Sequence, residues 1–174
     1  MNVANTITFL RLLFVIPFAI SLSSKAYSVT LFIFAFAGLS DLADGYIARK
    51  FNQKTKLGAF LDPFTDKIFI FTGNIVLLTI GALPIWFFAL VSFKDLSSLL
   101  ATIILSIKKV EWEPKPNIYG KIAVFLQVIV ILLAILNLGF FKINTIFTYV
   151  IYICSIFTLI SWILYFRDFF KLLK

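Results

Sequence analysis

The sequence predicts an all-α integral membrane protein with six transmembrane helices. Hydrophobic residues make up 61% of its 174 residues and charged residues only 14%, whereas a typical soluble domain carries about 25% charged residues. The mean hydropathy is +1.04. At roughly 20 residues per crossing, the chain accommodates about six crossings with little left for an extramembrane domain. We therefore expect one transmembrane domain over residues 1–174, with its chemistry within or against the bilayer.

Six apolar runs, each bounded by charged residues or by Gly and Pro, define the predicted spans. They are residues 5–22, 28–48, 58–81, 84–107, 118–138 and 143–166. The first run has no basic flank before it and no small-residue cleavage site after it, and Arg11 interrupts it, so we interpret it as a retained helix rather than a signal peptide. The second run ends, and the third begins, in acidic residues. The fourth and fifth are separated by the polar connector KKVEWEPKPNIYG, and the sixth contains no charged residue.

The distribution of Lys and Arg predicts the orientation of these spans. If the N-terminus is cytoplasmic, the cytoplasmic segments carry eleven basic residues: Arg49, Lys50, Lys54, Lys56, Lys108, Lys109, Lys115, Lys121, Arg167, Lys171 and Lys174. The loops on the opposite side carry two, Lys25 and Lys142. Under the positive-inside rule, both termini and the acidic ends of the spans should face the cytoplasm.

The residue inventory excludes several classes of chemistry. The chain has no histidine and one cysteine, Cys154, which excludes Ser-His and Cys-His nucleophiles, His-ligated zinc and disulfide scaffolds. The net charge of +8 could indicate nucleic acid, but basic residues on so apolar a chain serve topology and anionic lipid head groups. The expected partner is a membrane surface rather than nucleic acid.

Four of the eight acidic residues lie in one 26-residue window, as Asp41, Asp44, Asp62 and Asp66. An uncompensated carboxylate within a span costs about 2.5–3.5 kcal/mol on insertion scales, so a bound cation explains the window better than chance. Asp41 and Asp44 lie about 60° apart on one helical face. Asp62 and Asp66, four residues apart, also share a face. A helix-loop-helix hairpin can bring the two pairs together.

Oxygen ligands without His or Cys favour Mg²⁺ or Mn²⁺, and a pair of such ions is a recurrent solution for phosphoryl transfer. Gly45, Ala48 and Gly58 leave room for a ligand against the helix backbones. Arg49 can donate two hydrogen bonds to phosphate oxygens. Intramembrane acids also form proton relays or sodium sites, so an ion-coupled transporter remains an alternative from the acids alone.

The segment SDLADGYIARKFNQKTKLGAFLDPFTDK fits the pattern DxxDGxxARx8GxxxDxxxD at all eight specified positions. This pattern resembles the signature of the CDP-alcohol phosphotransferase family. The opening NTITFLR resembles that family's N-terminal element, with Ala4 in place of the usual proline. The resemblance implies a homodimeric six-helix fold in the cell (inner) membrane, with a polar cavity open to the cytoplasm.

The resemblance also implies a role for each matching residue. Asp41, Asp44 and Asp62 would be the main ligands of two metal ions. Asp66 would join the second ion and act as the catalytic base. A polar alcohol would then displace CMP from CDP-diacylglycerol. The contacts to the CDP-lipid would be Asn5, Thr8, Gly45, Ala48, Arg49, Thr55 and Gly58.

Within the family, GAFLDPFTDK together with FLRLLFVIPF most resembles the phosphatidylglycerophosphate synthases, whose acceptor is sn-glycerol 3-phosphate. A phosphorylated acceptor needs fixed cations, and Lys67, Lys94 and Lys121 are the candidates because each lies in or at the cytoplasmic end of a span. The fourth span reads SFKDLSSLLAT, where that branch typically carries an Arg-Glu element. The Lys94-Asp95 pair is closer to the Arg-Asp of cardiolipin synthases that use CDP-diacylglycerol, so that acceptor specificity remains an alternative.

Overall fold

A computed structural model describes the backbone of residues 3–50, 56–107 and 118–172, and the side-chain surroundings of residues 12–40, 65–101, 104, 118–169 and 171. Within those ranges the chain forms six α-helices and no β-strand. The helices are α1 (Val3–Ser23), α2 (Tyr27–Lys50), α3 (Lys56–Thr79), α4 (Ile85–Ile107), α5 (Ile118–Gly139) and α6 (Asn144–Leu172).

The six helices confirm the six predicted elements, and all but one of their ends lie within two residues of the prediction. The exception is α6, which continues to Leu172 instead of ending at residue 166. The apolar run stops there because Arg167 and Asp168 follow, but charged residues do not end a helix and Arg has a high helix propensity. These two side chains form an exposed ion pair at 3.2 Å on the last turns of α6.

Two of the helix connections contain a residue in the left-handed conformation. After α1, Lys25 has φ 60°, and after α3, Gly81 has φ 74°. The amide of Ala82 donates to the carbonyl of Leu77 at 2.8 Å and that of Gly81 to Leu78 at 3.0 Å, which is the Schellman pattern. Glycine adopts this conformation without steric cost, whereas Lys25 adopts it against the usual preference of a residue with a Cβ.

The first of two helical units comprises Met1–Ala82 and Ile131–Lys142. In it, α1 packs against both α2 and α3. Phe18 of α1 is fully buried and stacks on Phe69 of α3, with ring centroids 4.6 Å apart. A Cβ added to Gly73 would lie 3.1 Å from Ile131, so the absence of a side chain there lets α5 pack closely on α3. This packing is what positions α2 and α3, the helices that carry the acidic window.

The second unit comprises Leu83–Val130 and Ile143–Lys174, and in it α4 packs against α6. Its buried apolar residues include Phe87 and Val91 of α4 and Ile151 of α6. The start of α5 approaches α6 closely, because a Cβ on Gly120 would lie 3.0 Å from the Ser161 hydroxyl oxygen. The unit also buries several polar side chains in its interior, namely Lys94, Gln127, Ser155, Thr158 and Ser161.

Two helices are long and apolar enough to cross a membrane within the described residues, Ile118–Gly139 and Asn144–Phe169. Only 33% of the most apolar window in each helix is buried. The core helix of a soluble protein would bury most of such a surface, whereas exposed apolar faces of this size are expected where a helix meets lipid. Shorter apolar stretches lie in α1 (Leu12–Ser23) and α2 (Tyr27–Ser40).

Candidate functional site

The four aspartates of the acidic window lie on two consecutive helices. Asp41 and Asp44 belong to the C-terminal part of α2, and Asp62 and Asp66 to the first half of α3. This confirms that each pair lies within one helix. The side chains of the first three are outside the part of the chain whose side-chain surroundings are described, so the convergence of all four carboxylates stays a prediction.

Asp66 is half-buried at the border of the face through which α3 packs. Its neighbour Thr65 is buried, and so is Phe69 one turn later, which stacks on Phe18 of α1. One residue along a helix corresponds to a rotation of about 100°. Asp66 therefore sits beside this packed face without being enclosed by it, and the next residue, Lys67, is exposed. Asp66 is thus partly exposed next to a packed helix face.

Six of the seven predicted contacts to the CDP-lipid lie at the ends of three helices of the first unit. Asn5 and Thr8 belong to the start of α1, Gly45, Ala48 and Arg49 to the last turns of α2, and Gly58 to the first turn of α3. Thr55 falls in the segment 51–55, outside the described residues, and the structure does not describe the side-chain surroundings of the other six. Their proposed contacts remain predictions.

The three lysines predicted for the acceptor differ in burial. Lys67 and Lys121 are exposed, whereas Lys94 in α4 is only 7% exposed. The Lys94 ammonium lies 3.0 Å from a carboxylate oxygen of Asp95, whose side chain is one-third exposed. A cation within an apolar span is costly and marks a functional position more often than a surface lysine does. Burial therefore separates Lys94 from the other two candidates.

A cluster of two serines and two aromatic residues links α4 to α6, and sequence reasoning missed it. The Trp162 indole N–H donates to the Ser97 hydroxyl oxygen at 2.9 Å, and the Tyr165 hydroxyl donates to the carbonyl of Ser98 at 2.8 Å. We call Ser97, Ser98, Trp162 and Tyr165 the serine–aromatic cluster. Its sequence signal is a Ser-Ser pair one turn after a lysine within an apolar run, but nothing in the sequence identifies Trp162 and Tyr165 as the partners.

The donor set of the acidic window fits a divalent metal such as Mg²⁺ or Mn²⁺. The four positions on α2 and α3 supply only carboxylate oxygens, and these hard cations prefer such ligands to nitrogen or sulfur. Where side-chain surroundings are described, no group of three or more potential ligands is found. Three of the four aspartates lie outside that part of the chain, so this result does not bear on them.

A model of the CDP-alcohol phosphatidyltransferase family matches residues 1–164. The chain therefore belongs to this family of transferases. The match spans both helical units and confirms the resemblance inferred from the aspartate pattern. Membership in this family and the exposed apolar faces of α5 and α6 together indicate a membrane protein.

Three named relatives are similar to this chain over different shares of its length. The CDP-diacylglycerol–glycerol-3-phosphate 3-phosphatidyltransferase of Aquifex aeolicus (strain VF5) is 32% identical over 178 residues, covering 99% of this chain and 98% of the relative. A probable phosphatidylglycerophosphate synthase of Mycobacterium tuberculosis (strain H37Rv) is 35% identical over 147 residues, covering 79% of this chain and 68% of the relative. A Mycobacterium bovis protein provisionally named a cardiolipin synthase is 38% identical over 96 residues, covering 55% of this chain and 46% of the relative.

Proposed function

We propose that this enzyme transfers a phosphatidyl group from CDP-diacylglycerol to sn-glycerol 3-phosphate, giving phosphatidylglycerophosphate and CMP on the route to phosphatidylglycerol. The observation that carries this proposal is the end-to-end similarity to the Aquifex aeolicus 3-phosphatidyltransferase, which covers 99% of the chain. The complete aspartate pattern, from Asp41 to Asp66, supports a catalytically competent member rather than a scaffold.

All six helices are proposed to cross the inner membrane as one domain. They contain between 21 and 29 residues each, and a helix needs about 20 residues to cross the hydrocarbon core. The excess of basic residues in alternate segments supports placing the ends of α2 and α3 that carry the aspartates at the cytoplasmic face. A polar cavity open to the cytoplasm and a homodimeric state follow from the resemblance and belong to the same proposal.

Asp41, Asp44, Asp62 and Asp66 are proposed to hold two Mg²⁺ or Mn²⁺ ions. When bound, such ions withdraw negative charge from the diphosphate, which makes phosphorus a better electrophile and CMP a better leaving group. The carboxylates contribute the fixed negative charge that this requires. They lie in the C-terminal part of α2 and the first half of α3, and these helices are joined by the short segment 51–55, which supports a common site.

Asp66 is proposed to accept the proton of the attacking hydroxyl. The acceptor oxygen forms a bond to the phosphorus that carries the diacylglycerol, and the bond from that phosphorus to the bridging oxygen breaks, releasing CMP. A general base must be within hydrogen-bond reach of the proton that it removes. The half-buried position of Asp66, beside the α1–α3 contact, suits a carboxylate with a fixed backbone and an accessible side chain.

Lys94 is the proposed ligand of the acceptor's phosphate. Of the three candidate lysines it alone is buried, and a cation shielded from water interacts more strongly with an anion than an exposed one does. Asp95, 3.0 Å from its ammonium, balances the charge in the absence of substrate. Lys67 and Lys121 are exposed on α3 and α5 and are assigned a smaller contribution.

A parallel acceptor assay tests the proposal. Purified protein with CDP-diacylglycerol and Mn²⁺ is offered glycerol 3-phosphate, phosphatidylglycerol, serine or inositol phosphate, and CMP release is measured. We expect glycerol 3-phosphate to give the fastest release, and we expect EDTA to abolish release until excess Mn²⁺ is added. Fastest release with phosphatidylglycerol would favour cardiolipin synthesis. Absence of CMP release with every acceptor would favour an ion-coupled transporter and overturn the proposal.

Cardiolipin synthesis is the second candidate because of the Lys94-Asp95 pair. This pair resembles the Arg-Asp of that branch, and the provisionally named cardiolipin synthase from Mycobacterium bovis is 38% identical. That similarity covers only 55% of the chain. The longer match to the Aquifex aeolicus protein therefore favours glycerol 3-phosphate as the acceptor.

A further inference from the structure

Two side chains of α6 hold one segment of α4. Trp162 and Tyr165 are three residues apart and therefore lie on the same face of α6. The first donates to the Ser97 hydroxyl oxygen at 2.9 Å and the second to the Ser98 carbonyl oxygen at 2.8 Å. The two hydrogen bonds are part-buried and reach two consecutive residues of α4, so together they restrict the rotation of α4 relative to α6.

The hydroxyls of the same two serines also bond to the backbone of Lys94. The hydroxyl of Ser97 donates to the Lys94 carbonyl oxygen at 2.9 Å, and that of Ser98 donates to the same oxygen at 2.7 Å. A serine hydroxyl has one proton to donate and lone pairs with which to accept. Ser97 uses both capacities and links the Trp162 indole to the backbone of Lys94.

Trp162 also contacts the residue that precedes Lys94. Its ring lies edge-on to Phe93, with centroids 5.3 Å apart. Trp162 therefore contacts a residue that precedes Lys94 in sequence, Phe93, and one that follows it, Ser97. A rotation of α4 by about 100°, the angle between successive residues of a helix, would turn its side chains toward different surroundings. These α6 contacts therefore hold the segment of α4 that carries Lys94.

We propose that Trp162 and Tyr165 are positioning residues for the acceptor. They hold α4 in the rotation at which Lys94, paired with Asp95, receives the phosphate of the acceptor alcohol. This inference rests on the proposed role of Lys94. Neither aromatic residue contacts the reacting atoms in this account. Their effect should therefore appear in the KM for the acceptor and not in the KM for CDP-diacylglycerol.

Two variants that delete single hydrogen bonds test this inference. Tyr165→Phe keeps the ring and removes only the hydroxyl donor, whereas Trp162→Phe keeps one aromatic ring and removes the indole N–H donor together with part of the indole. KM is measured for whichever acceptor releases CMP fastest in the parallel assay. We expect each variant to raise that KM about 3- to 10-fold, the effect of one hydrogen bond, with kcat and the KM for CDP-diacylglycerol within about twofold of the parent.

The matched control is Tyr149→Phe. Tyr149 lies on the same helix and is 66% exposed, so its substitution removes the same hydroxyl group from an unrelated face. We expect its KM values to equal those of the parent protein. Thermal unfolding in detergent is followed for every variant. Equal increases in acceptor KM for Tyr149→Phe and Tyr165→Phe would overturn the positioning role.

Ser97 provides a test by rescue. Ser97→Ala removes the hydroxyl that connects Trp162 to Lys94, whereas Ser97→Thr retains it. We expect the alanine variant to match Trp162→Phe and the threonine variant to restore the parent KM. Both changes break the same hydrogen bond, from Trp162 to Ser97. The double variant Ser97→Ala/Trp162→Phe should therefore raise the acceptor KM no more than the stronger single change. If the increase in acceptor KM of the double variant equals the product of the two single increases, the inference is contradicted.

Lys94→Gln tests the proposed phosphate-binding role of Lys94 separately from the positioning role of Trp162 and Tyr165. If Lys94→Gln raises the acceptor KM and the two aromatic variants do not, the positioning role is wrong and the role of Lys94 stands. If Lys94→Gln leaves that KM unchanged, both roles fall, although the identity of the acceptor is unaffected. If an acceptor other than glycerol 3-phosphate is fastest, the proposed substrate is wrong, and the KM comparison still decides on Trp162 and Tyr165.

Discussion

The two helical units of this protein use polar residues in different ways. In the first unit the functional candidates form one continuous pattern, from Asp41 to Asp66, on the consecutive helices α2 and α3. In the second unit, Trp162 and Tyr165 of α6 donate hydrogen bonds to the Ser97 hydroxyl and the Ser98 carbonyl of α4, which are 65 and 67 residues away in sequence. A short pattern is visible in one sequence, whereas a contact between distant helices is visible only once they are packed.

The largest predicted effect is that of a substitution at Asp66, in the first unit. Asp66→Asn should lower CMP release about 10²- to 10⁴-fold, because the amide cannot accept the proton of the attacking hydroxyl. The matched control is Asp168→Asn, since Asp168 is exposed and pairs only at the surface with Arg167. CMP release is measured at saturating CDP-diacylglycerol.

Two further measurements on Asp66→Asn decide how its result is interpreted. The variant should unfold at about the temperature of the parent protein and should still bind CDP-diacylglycerol in a direct binding assay. A folded variant that retains appreciable turnover would refute the assignment of Asp66 as the base. The aspartate pattern would then predict the position of the site but not the role of Asp66.

The second prediction tests the other unit. Lys94→Gln should raise the KM for glycerol 3-phosphate on the order of 10- to 100-fold, the range expected for loss of a hydrogen bond from a charged group. Asp95 would also lose the ammonium that lies 3.0 Å from its carboxylate. Initial rates at varied acceptor concentration give the KM, and Lys142→Gln, a change at an exposed loop lysine, is the control.

An unchanged KM in Lys94→Gln would mean that burial is a poor guide to the acceptor site. The exposed lysines, Lys67 and Lys121, would then become the stronger candidates. The comparison between the units would change as well. The polar contacts of the second unit would serve helix association alone, through hydrogen bonds between α4 and α6.

The third prediction concerns stability in the first unit. A Cβ on Gly139, the last residue of α5, would lie 2.5 Å from the Cβ of Tyr27 at the start of α2. Gly139→Ala should therefore destabilise the protein by about 1–3 kcal/mol, the usual cost of overpacking. At Gly38 of α2 nothing lies within 4 Å of an added Cβ.

Gly38→Ala is the matched control for Gly139→Ala. Alanine favours a helix over glycine by about 1 kcal/mol, so this variant should unfold at the same temperature as the parent protein or a higher one. Thermal unfolding in detergent distinguishes the two variants. Equal unfolding temperatures would show that the approach of α5 to α2 tolerates a methyl group.

Prediction from sequence succeeded where the determining interactions are local. Apolar runs define helices because the backbone hydrogen bonds of a spanning segment must be satisfied within it, and the six helices follow those runs closely. The end of α6 was missed because Arg167 and Asp168 change hydropathy without ending the helix. Asp41 and Asp44 lie within one helix, as their spacing requires, and so do Asp62 and Asp66.

By itself, the sequence determined the helical class, the positions of the helices, the family and the helices that carry the aspartates, since all of these depend on residues close together in the chain. Only the tertiary structure decided that Lys94 is buried while Lys67 and Lys121 are exposed, and that Trp162 and Tyr165 reach Ser97 and Ser98. The physical reason is that helical periodicity specifies which residues share a face. The packing of whole helices decides which face each one meets.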